Sequence, residues 1–261
     1  NAAVTFAPIL PRNEVSEKPG TLHYRRAPWL MDGDSNDHDS VSFWTSDAAP
    51  VPHARNEMAK NGIPRHVGFI PDGNRRWAVE RGLTKESGYA HGIGPGLRLY
   101  EQCREAGVAE MSIYGFTQDN TRRPSIQKRA FSEACVVFAL EVARRGADLL
   151  VVGDETSAQF PTELREYRHR QGAGIKVNLL VNYGWEWDLA GLKNGGLRSR
   201  DVSRVDLIVR WGGARRLSGF LPVQSVYADF YVRDEYWPDF DPQHFDHALA
   251  WFKTQDPTLG G

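Results

Sequence analysis

The sequence predicts an α/β domain built on a central, mainly parallel β-sheet, and three observations lead to that fold class. Five short apolar runs rich in β-forming residues follow one another from residue 66 onward: HVGFI, MSIYGF, ADLLVVG, IKVNLLVNYG and VDLIVRW. Stretches of helical character separate these runs. The runs are apolar throughout instead of alternating, which is typical of strands that a parallel sheet buries on both faces.

Two of the intervening stretches are predicted as helices with clear ends. Residues 94–107 and 124–146 each end at a glycine, and the second begins with Pro124. Residues 1–60 are polar and rich in proline, so we expect an irregular N-terminal extension followed by one folded domain over residues 61–261. Within the extension, DGDSNDHD begins like a calcium-binding loop, but Asp37 stands where such a loop needs glycine. We interpret it as a solvated turn.

Composition argues against several classes of protein. A net charge of −1 at pH 7 gives no overall field that would attract nucleic acid. Cys103 and Cys135 lie far apart without CxxC or Cys/His spacing, so neither a zinc site nor a disulfide framework is expected. No apolar run approaches the roughly 18 residues of a membrane-spanning helix, and the start lacks a signal-peptide pattern, so we expect a cytoplasmic protein.

A polar cluster follows each of the five apolar runs. The clusters are DGNRR, TQDNTRRP, GDET, NYGWEWD and GGARRLSG. Because the carboxyl ends of parallel strands meet at one edge of a sheet, where ligands bind in open α/β folds, we expect these five loops to face one site. Their arginines are Arg75, Arg76, Arg122, Arg123, Arg210, Arg215 and Arg216.

The chemistry of these loops indicates a phosphorylated or diphosphorylated ligand. Guanidinium groups match phosphate oxygens, and Gly73, Gly212 and Gly213 would let backbone N–H groups approach an anion. Asp72 among arginines can hold Mg²⁺ that bridges to phosphate oxygens. The alternative is structural: Asp72 pairs with Arg75 or Arg76 and caps a helix that starts at Asn74. Neither GxxxxGK nor GxGxxG occurs, which argues against ATP and NAD sites.

Several long motifs together resemble the cis-prenyltransferases, the undecaprenyl diphosphate synthase family. They are HVGFIPDGNRRWAVERG, SIYGFTQDNTRRP, NLLVNYG and VDLIVRWGGARRLSGFLPVQSVYADFYVRDEYWPDF, with Gly260 and Gly261 at the end, and they cover residues 66–261 in the family's order. The resemblance implies a six-stranded parallel sheet flanked by helices, a hydrophobic tunnel for the growing isoprenoid, and a homodimer. It also implies Mg²⁺-dependent condensation of isopentenyl diphosphate with an allylic prenyl diphosphate, and a lipophilic product that would draw the enzyme to a membrane surface.

The resemblance also assigns roles to residues. Asp72, Asn120 and Arg123 match catalytic positions beside the allylic diphosphate, and Asp72 and Asp229 match the metal-ligand positions, the second usually Glu. The implied substrate-binding residues are Gly73, Asn74, Arg75, Arg76, Lys85, Arg210, Trp211, Arg216 and Ser218. Phe69, Tyr114, Phe116, Phe131, Phe138 and Trp211 are candidates for the apolar wall of the site, although each taken alone fits ordinary core as well.

The sequence also departs from the family pattern. Trp211 replaces a small polar residue, Ala214 replaces Glu, and Tyr89 replaces His. Between Asp188 and Val205 the chain is shorter by roughly two helices than the family pattern; because a short connection across the sheet would be strained, we expect that residues are missing there. Trp211 and Ala214 keep two alternatives open. One is head-to-middle condensation of two allylic diphosphates, as in lavandulyl-type synthases, and the other is a non-catalytic prenyltransferase subunit.

Overall fold

The computed structural model describes residues 62–255, and its centre is a six-stranded, all-parallel β-sheet. The strands are β1 (His66–Ile70), β2 (Glu110–Tyr114), β3 (Asp148–Val152), β4 (Lys176–Leu180), β5 (Leu207–Arg210) and β6 (Asp229–Val232), in the order β3-β4-β2-β1-β5-β6. The predicted fold class is confirmed. The expected extension over residues 1–60, with its solvated turn, and the terminal Gly260 and Gly261 lie outside the described residues.

The helices are α1 (Asn74–Glu80), α2 (Ser87–His91), α3 (Ile93–Ala106), α4 (Ser125–Arg144), α5 (Trp185–Leu189) and α6 (Pro242–Phe252). Short 3₁₀ segments cover Gln118–Arg122, Thr162–Arg168, Ala190–Asn194 and Trp237–Asp239. The two predicted helices are α3 and α4, and each differs from its predicted range by only a residue or two at either end. No helix of the described part of the chain is long and apolar enough to cross a membrane.

The two faces of the sheet are covered differently. Val67 and Phe69 point to one face, where they pack with side chains of α3, α4 and α6 in the larger hydrophobic cluster. Gly68 and Ile70 alternate with them, and Ile70 packs on the other face against the irregular segments around Val202 and Phe220. The second face therefore has no long helix over it in the described chain.

The connection from β4 to β5 is short and crosses β2 and β1, and its one non-glycine residue with a positive φ is Asn182, at 52°. Residues 185–206 contain α5, one 3₁₀ segment and turns, and no non-glycine residue among them has a positive φ. The expected strain is therefore absent from residues 185–206, and the expectation that residues are missing there stays a prediction.

Candidate active site

A cavity of ≈ 660 Å³ opens at the carboxyl ends of β1, β2 and β5. Most of the predicted site residues line it: Asp72, Gly73, Asn74, Arg75, Arg76, Lys85, Asn120, Arg123, Arg210 and Ser218. They come from loops that the parallel sheet places at one edge. We take this cavity as the candidate active site.

Asp72 is held by a tight turn after β1. Its backbone N–H donates to the carbonyl of Ile70 at 3.0 Å, and its Oδ1 accepts from the N–H of Gly73 at 2.6 Å. Gly73 has a φ of 103°, and a Cβ atom there would lie 2.6 Å from the ring of Tyr236. Only glycine fits this position, which fixes where the Asp72 carboxylate points.

Two arginines flank the Asp72 carboxylate. Arg210 Nη2 donates to its Oδ2 at 2.9 Å, and Arg76 Nη2 lies 3.6 Å from its Oδ1. The ion pair of the structural alternative is thus present, with Arg76 and Arg210 as partners instead of Arg75, whereas the N-cap residue of α1 is Gly73, without a side-chain cap. The Asp72 side chain remains 36% exposed, so it is still accessible from the cavity.

Arg210 is the buried member of this pair. Its side chain is only 4% exposed, and Nη1 donates to the carbonyl of Arg216 and to Oγ of Ser218, the latter at 2.9 Å. The carbonyl of Ser218 in turn accepts from the Tyr114 hydroxyl at 2.9 Å. These contacts hold one planar guanidinium group against the cavity wall in a fixed orientation.

The loop after β2 supplies a second fixed group. The Thr117 hydroxyl accepts from the Asn120 N–H, and the Asn120 side chain accepts from the Thr117 N–H, both at 3.3 Å, which forms a capping box. This turn presents Arg123, whose Nη1 donates to the Tyr89 hydroxyl at 2.8 Å. The Tyr89 ring stacks on Phe131 with centroids 4.5 Å apart.

Burial shifts the pKa values of this pair in opposite directions. Burial lowers the pKa of Arg123, and the nearby positive charge of Arg75 lowers it further. Burial raises the pKa of Tyr89, so its hydroxyl stays protonated. Because Arg123 donates to the Tyr89 oxygen, the Tyr89 O–H is left to donate to a ligand.

The cavity carries an excess of positive charge. Five cationic side chains line it, against three carboxylates at Asp72, Glu80 and Asp119. No carboxylate among residues 62–255 forms an ion pair with Arg75, Lys85 or Arg123. These three cations are therefore available to a diphosphate.

An apolar crevice continues from the cavity between α3, α4 and the sheet. It shares Tyr89, Tyr114 and Phe131 with the cavity and extends to Phe138 and Trp237. Its volume is only ≈ 50 Å³, so the expected hydrophobic tunnel is a short crevice in this structure. Of the other wall candidates, Phe69 and Phe116 are fully buried core.

The structure places three predicted site residues elsewhere. Trp211 is fully buried, packs against Trp237 at 4.8 Å between ring centroids, and donates from Nε1 to His244, so it belongs to the core instead of a substrate pocket. The Arg216 side chain is exposed and does not line the cavity; only its carbonyl supports Arg210.

Asp229 is the third. It pairs with Leu207 at the amino end of β5, three positions before Arg210, which corresponds to roughly 10 Å along the strand. Asp72 follows the opposite, carboxyl end of β1. Within one chain the two predicted metal ligands therefore lie toward opposite ends of their strands, and the metal-ligand role of Asp229 stays a prediction.

Only three of the five polar clusters meet at the cavity. The loop after β3 lines a separate cavity of ≈ 290 Å³, and the NYGWEWD segment after β4 contributes nothing to the candidate active site. The cavity also contains Val79, Glu80, Thr117 and Asp119, which were not predicted. Thr117 and Asp119 could have been found from their place in TQDNTRRP, and Val79 and Glu80 from their place in HVGFIPDGNRRWAVERG.

The donor set fits a magnesium ion. Among the described residues no group of three His, Cys, Asp or Glu side chains comes together as a metal cluster. Mg²⁺ that is bound together with substrate phosphates needs only one or two protein carboxylates. Asp72 could supply one of them, and Asp119 lies in the same cavity.

The chain is similar to a family of known proteins. The model of the undecaprenyl diphosphate synthase family matches residues 70–197 and 192–260. A Photorhabdus laumondii protein named ditrans,polycis-undecaprenyl-diphosphate synthase, (2E,6E)-farnesyl-diphosphate specific, is 29% identical over 242 residues, covering 80% of this chain and 94% of that relative. An Aeropyrum pernix tritrans,polycis-undecaprenyl-diphosphate synthase, geranylgeranyl-diphosphate specific, is 31% identical over 220 residues, covering 76% and 99%.

A solved structure has the same fold. Lavandulyl diphosphate synthase from Lavandula x intermedia, in complex with dimethylallyl diphosphate, superimposes with a TM-score of 0.65 at 22% identity, covering 77% of this chain and 99% of that one. The two segments matched by the family model meet at residues 192–197, within the short β4–β5 connection. This position agrees with the shortening that the sequence indicated.

Proposed function

Because the chain belongs to the undecaprenyl diphosphate synthase family, we propose that it condenses isopentenyl diphosphate with an allylic prenyl diphosphate, using Mg²⁺, to form a cis-prenyl diphosphate. One observation carries the proposal at the level of the site. The cavity combines five cations with a carboxylate, Asp72, fixed between Arg76 and Arg210. The five cations match the negative charge of two diphosphates, and the Asp72 carboxylate matches a metal ion.

In the proposed reaction, Arg75, Lys85 and Arg123 hold the allylic diphosphate and the Tyr89 hydroxyl donates to one of its oxygens. The allylic C–O bond breaks and both electrons leave with the diphosphate, so these donors stabilise the charge that develops there. Mg²⁺, when bound at Asp72, would neutralise part of the same charge. The rings of Phe131 and Tyr114 line the side where the allylic cation forms.

The second substrate is proposed to bind beside Arg210 and Ser218. The double bond of isopentenyl diphosphate supplies the electron pair of the new C–C bond, and the proton lost from the adjacent carbon goes to the released diphosphate. Asp72 contacts Arg210 directly, so it links the two diphosphate positions. This arrangement orients both substrates before the bond forms.

The crevice favours a second candidate function. Because it is small, it suits two short substrates, as head-to-middle condensation of two allylic diphosphates would require. Ala214 remains a sequence feature in support, whereas Trp211, buried in the core, no longer is. Product formed from allylic diphosphate alone, without isopentenyl diphosphate, would select this candidate. The retained Asp72, Arg76 and Arg210 argue against a non-catalytic subunit.

The oligomeric state and the location of the protein are also part of this proposal. We infer a homodimer from the family resemblance and a cytoplasmic location from the composition, and a long product would bring the protein to a membrane surface. Light scattering during size-exclusion chromatography tests the dimer directly.

Asp72→Asn tests the proposed function. The variant keeps the shape of the side chain but removes the charge that faces Arg210 and the metal ion, so turnover should fall roughly 10²- to 10³-fold. Mass spectrometry of products from dimethylallyl, geranyl or farnesyl diphosphate, each with and without isopentenyl diphosphate, is the measurement. Asp246→Asn, exposed on α6, is the matched control and should keep wild-type turnover. Full activity of Asp72→Asn would remove Asp72 from the mechanism.

A further inference from the structure

Arg76 lines the cavity with a half-exposed side chain, and its polar contacts within the protein use only one of its nitrogen atoms. Nη2 donates to the carbonyl of Gly212 at 3.0 Å and lies 3.6 Å from Oδ1 of Asp72. Among residues 62–255, the Arg76 side chain makes no other hydrogen bond. Two of its nitrogen atoms, Nη1 and Nε, are therefore available to a ligand in the cavity.

The polar contacts alone would hold the Arg76 guanidinium loosely. The distance of 3.6 Å to Asp72 is too long for a hydrogen bond, and ion pairs at exposed positions contribute little to stability. An arginine side chain also has many rotamers, so holding it in one of them costs conformational entropy. A further contact is needed to keep this guanidinium in one orientation.

Tyr236, in the segment after β6, supplies that contact. Its ring centre lies 5.0 Å from Cζ of Arg76, which is within the range of a cation–π interaction. The same ring packs on Gly73, where a Cβ atom would be 2.6 Å from ring carbon Cδ1. The Tyr236 hydroxyl donates to Oε1 of Glu80 at 2.5 Å, and this hydrogen bond raises the pKa of Tyr236 above its usual 10. One tyrosine therefore contacts both ends of α1, with Arg76 between them.

The backbone on either side of Tyr236 is anchored to the loops that form the cavity. The N–H of Trp237 donates to the carbonyl of Asp72 at 2.9 Å. The carbonyl of Glu235 accepts from the N–H of Gly212 at 2.8 Å. Because both neighbours in sequence are fixed to these loops, the Tyr236 ring has a defined position relative to the cavity.

We propose that Tyr236 is a positioning residue, which orients the Arg76 guanidinium so that Nη1 and Nε bind the diphosphate of the allylic substrate. This inference rests on the proposed function and adds a residue to its machinery. Arg75 and Arg76 both line the cavity from α1, so one diphosphate can contact both. Tyr236 itself does not line the cavity, and it therefore acts through Arg76.

Steady-state kinetics of Tyr236→Leu give the first test. The variant keeps an apolar side chain against Gly73 but removes the ring, so KM for the allylic diphosphate should rise roughly 2- to 5-fold, the size expected for an exposed cation–π contact. Tyr236→Phe keeps the ring and should retain the wild-type KM. Tyr227→Leu is the matched control, because its exposed ring lies 4.4 Å from Cζ of Arg204, away from the cavity. An unchanged KM in Tyr236→Leu would overturn the positioning role.

A double-mutant cycle tests whether Tyr236 acts through Arg76. The measurement is titration calorimetry with inorganic diphosphate, which needs no turnover. Tyr236→Leu should weaken binding roughly 2- to 5-fold in the wild-type background and leave it unchanged in the Arg76→Ala background. Tyr236→Met, which also keeps an apolar contact with Gly73, serves in both backgrounds if the leucine variant does not fold.

The outcomes separate this inference from the proposed function. An equal loss of diphosphate affinity in both backgrounds, or a loss in neither, would overturn the positioning role of Tyr236 and leave the proposed function in place. Failure of the wild type to turn over any allylic diphosphate, with the expected result in the cycle, would count against the proposed function alone. A wild type that does not bind inorganic diphosphate would overturn both.

Discussion

Tyr89 joins the polar cavity to the apolar crevice through one side chain. Its hydroxyl accepts from Arg123 at 2.8 Å, while its ring stacks on Phe131 at an interplanar angle of 4°. The Arg123 guanidinium also lies 5.6 Å from the centre of the Phe131 ring. Tyr89 is therefore expected to orient Arg123 toward the substrate in addition to donating its own O–H to the diphosphate.

Tyr89→Phe should separate positioning from packing. The variant keeps the stacked ring but removes the acceptor of the Arg123 hydrogen bond, and a hydrogen bond to a charged group is worth about 1.5–3 kcal/mol. We expect kcat/KM for the allylic diphosphate to fall roughly 10-fold or more. Tyr100→Phe, buried in the core on α3, is the control for loss of a tyrosine hydroxyl. Unchanged kinetics in Tyr89→Phe would contradict the positioning role.

Sequence pattern located Asp72 but not the contact between Tyr89 and Arg123. Asp72 follows directly on an apolar strand, so the rule that parallel strands present ligands at their carboxyl ends was sufficient to place it. Tyr89 and Arg123 are 34 residues apart, and their hydrogen bond exists only because α2 and α4 pack together. Sequence pattern also placed Trp211 in the substrate pocket, whereas it lies in the core, because one position along the chain after β5 decides whether a side chain faces the cavity or the core.

At the scale of elements, the β4–β5 connection depends on one buried carboxylate. Asp188 of α5 accepts from the Tyr183 hydroxyl at 2.8 Å, from the Ser199 N–H at 2.8 Å and from the Ser199 hydroxyl at 2.6 Å. Gln224 adds a hydrogen bond to the same hydroxyl at 2.7 Å. Burial and the Asp188 charge raise the pKa of Tyr183, so its hydroxyl remains a donor. These hydrogen bonds hold the start of the connection, at Asp188, against its later part, at Ser199, without a long helix.

Asp188→Ala should destabilise the domain. Removing the carboxylate leaves the Tyr183 and Ser199 donors buried without their acceptor, at a cost of about 3 kcal/mol in the free energy of unfolding. Urea denaturation measures that free energy. Glu186→Ala, exposed on the same helix, should change it by less than about 0.5 kcal/mol. Equal stability of the two variants would show that Asp188 does not fasten the connection.

The long elements were predictable and the edge strand was not. The patterns of α3 and α4, with Gly107 and Gly146 near their ends, gave their extents to within two residues. Strand β6 has only four residues, all half-buried, so its local pattern does not distinguish it from a loop. Its existence followed from the family resemblance alone, and its register with β5 is what separates Asp229 from Asp72.

At the scale of the whole molecule, a buried polar network lies on the face of the sheet that lacks long helices. His66, Ser112 and Asn178, from three neighbouring strands, are joined by hydrogen bonds from the Ser112 hydroxyl to His66 Nε2 at 2.8 Å and from Asn178 to Ser112 at 2.9 Å. Asn178 also donates to Glu110 at 2.6 Å, and Arg170 donates to Asn178 at 2.6 Å. The network therefore joins β1, β2, β4 and the segment that contains Arg170 beneath the β4–β5 connection.

The protonation state of His66 is set by its surroundings. Nδ1 faces the carbonyl oxygens of Ser203 and Arg204 at 3.1 and 3.2 Å, so it carries the proton of the neutral ring, and Nε2 accepts from Ser112. Burial lowers the pKa of His66 below its usual 6.5, although the charges of Glu110 and Asp206 oppose this shift. Arg170 is the cation nearest to Glu110, at 3.4 Å.

Glu110 has its own pH window. Burial alone would raise its pKa, but the His66 charge and hydrogen bonds from Asn178 and Ser203 outweigh burial and lower it below 4.5. The stability that Glu110 contributes is therefore present above pH 4.5 and is lost only below that value. Between pH 6.5 and the onset of acid denaturation, His66 is therefore the residue of this network whose protonation is expected to change the free energy of unfolding.

The folded protein should lose stability as the pH falls below 6.5. Because the pKa of His66 is lower in the folded state than in the unfolded chain, unfolding takes up a proton in this range, which lowers the free energy of unfolding by up to about 1.4 kcal/mol per pH unit. Urea denaturation at pH 7.5, 6.5 and 5.5 should show this slope for the wild type and a smaller one for His66→Gln, which cannot titrate. His91→Gln, at an exposed position, should keep the wild-type slope. A wild-type free energy of unfolding that does not change between pH 6.5 and 5.5 would mean that His66 accepts a proton without cost, and that the network tolerates a buried positive charge.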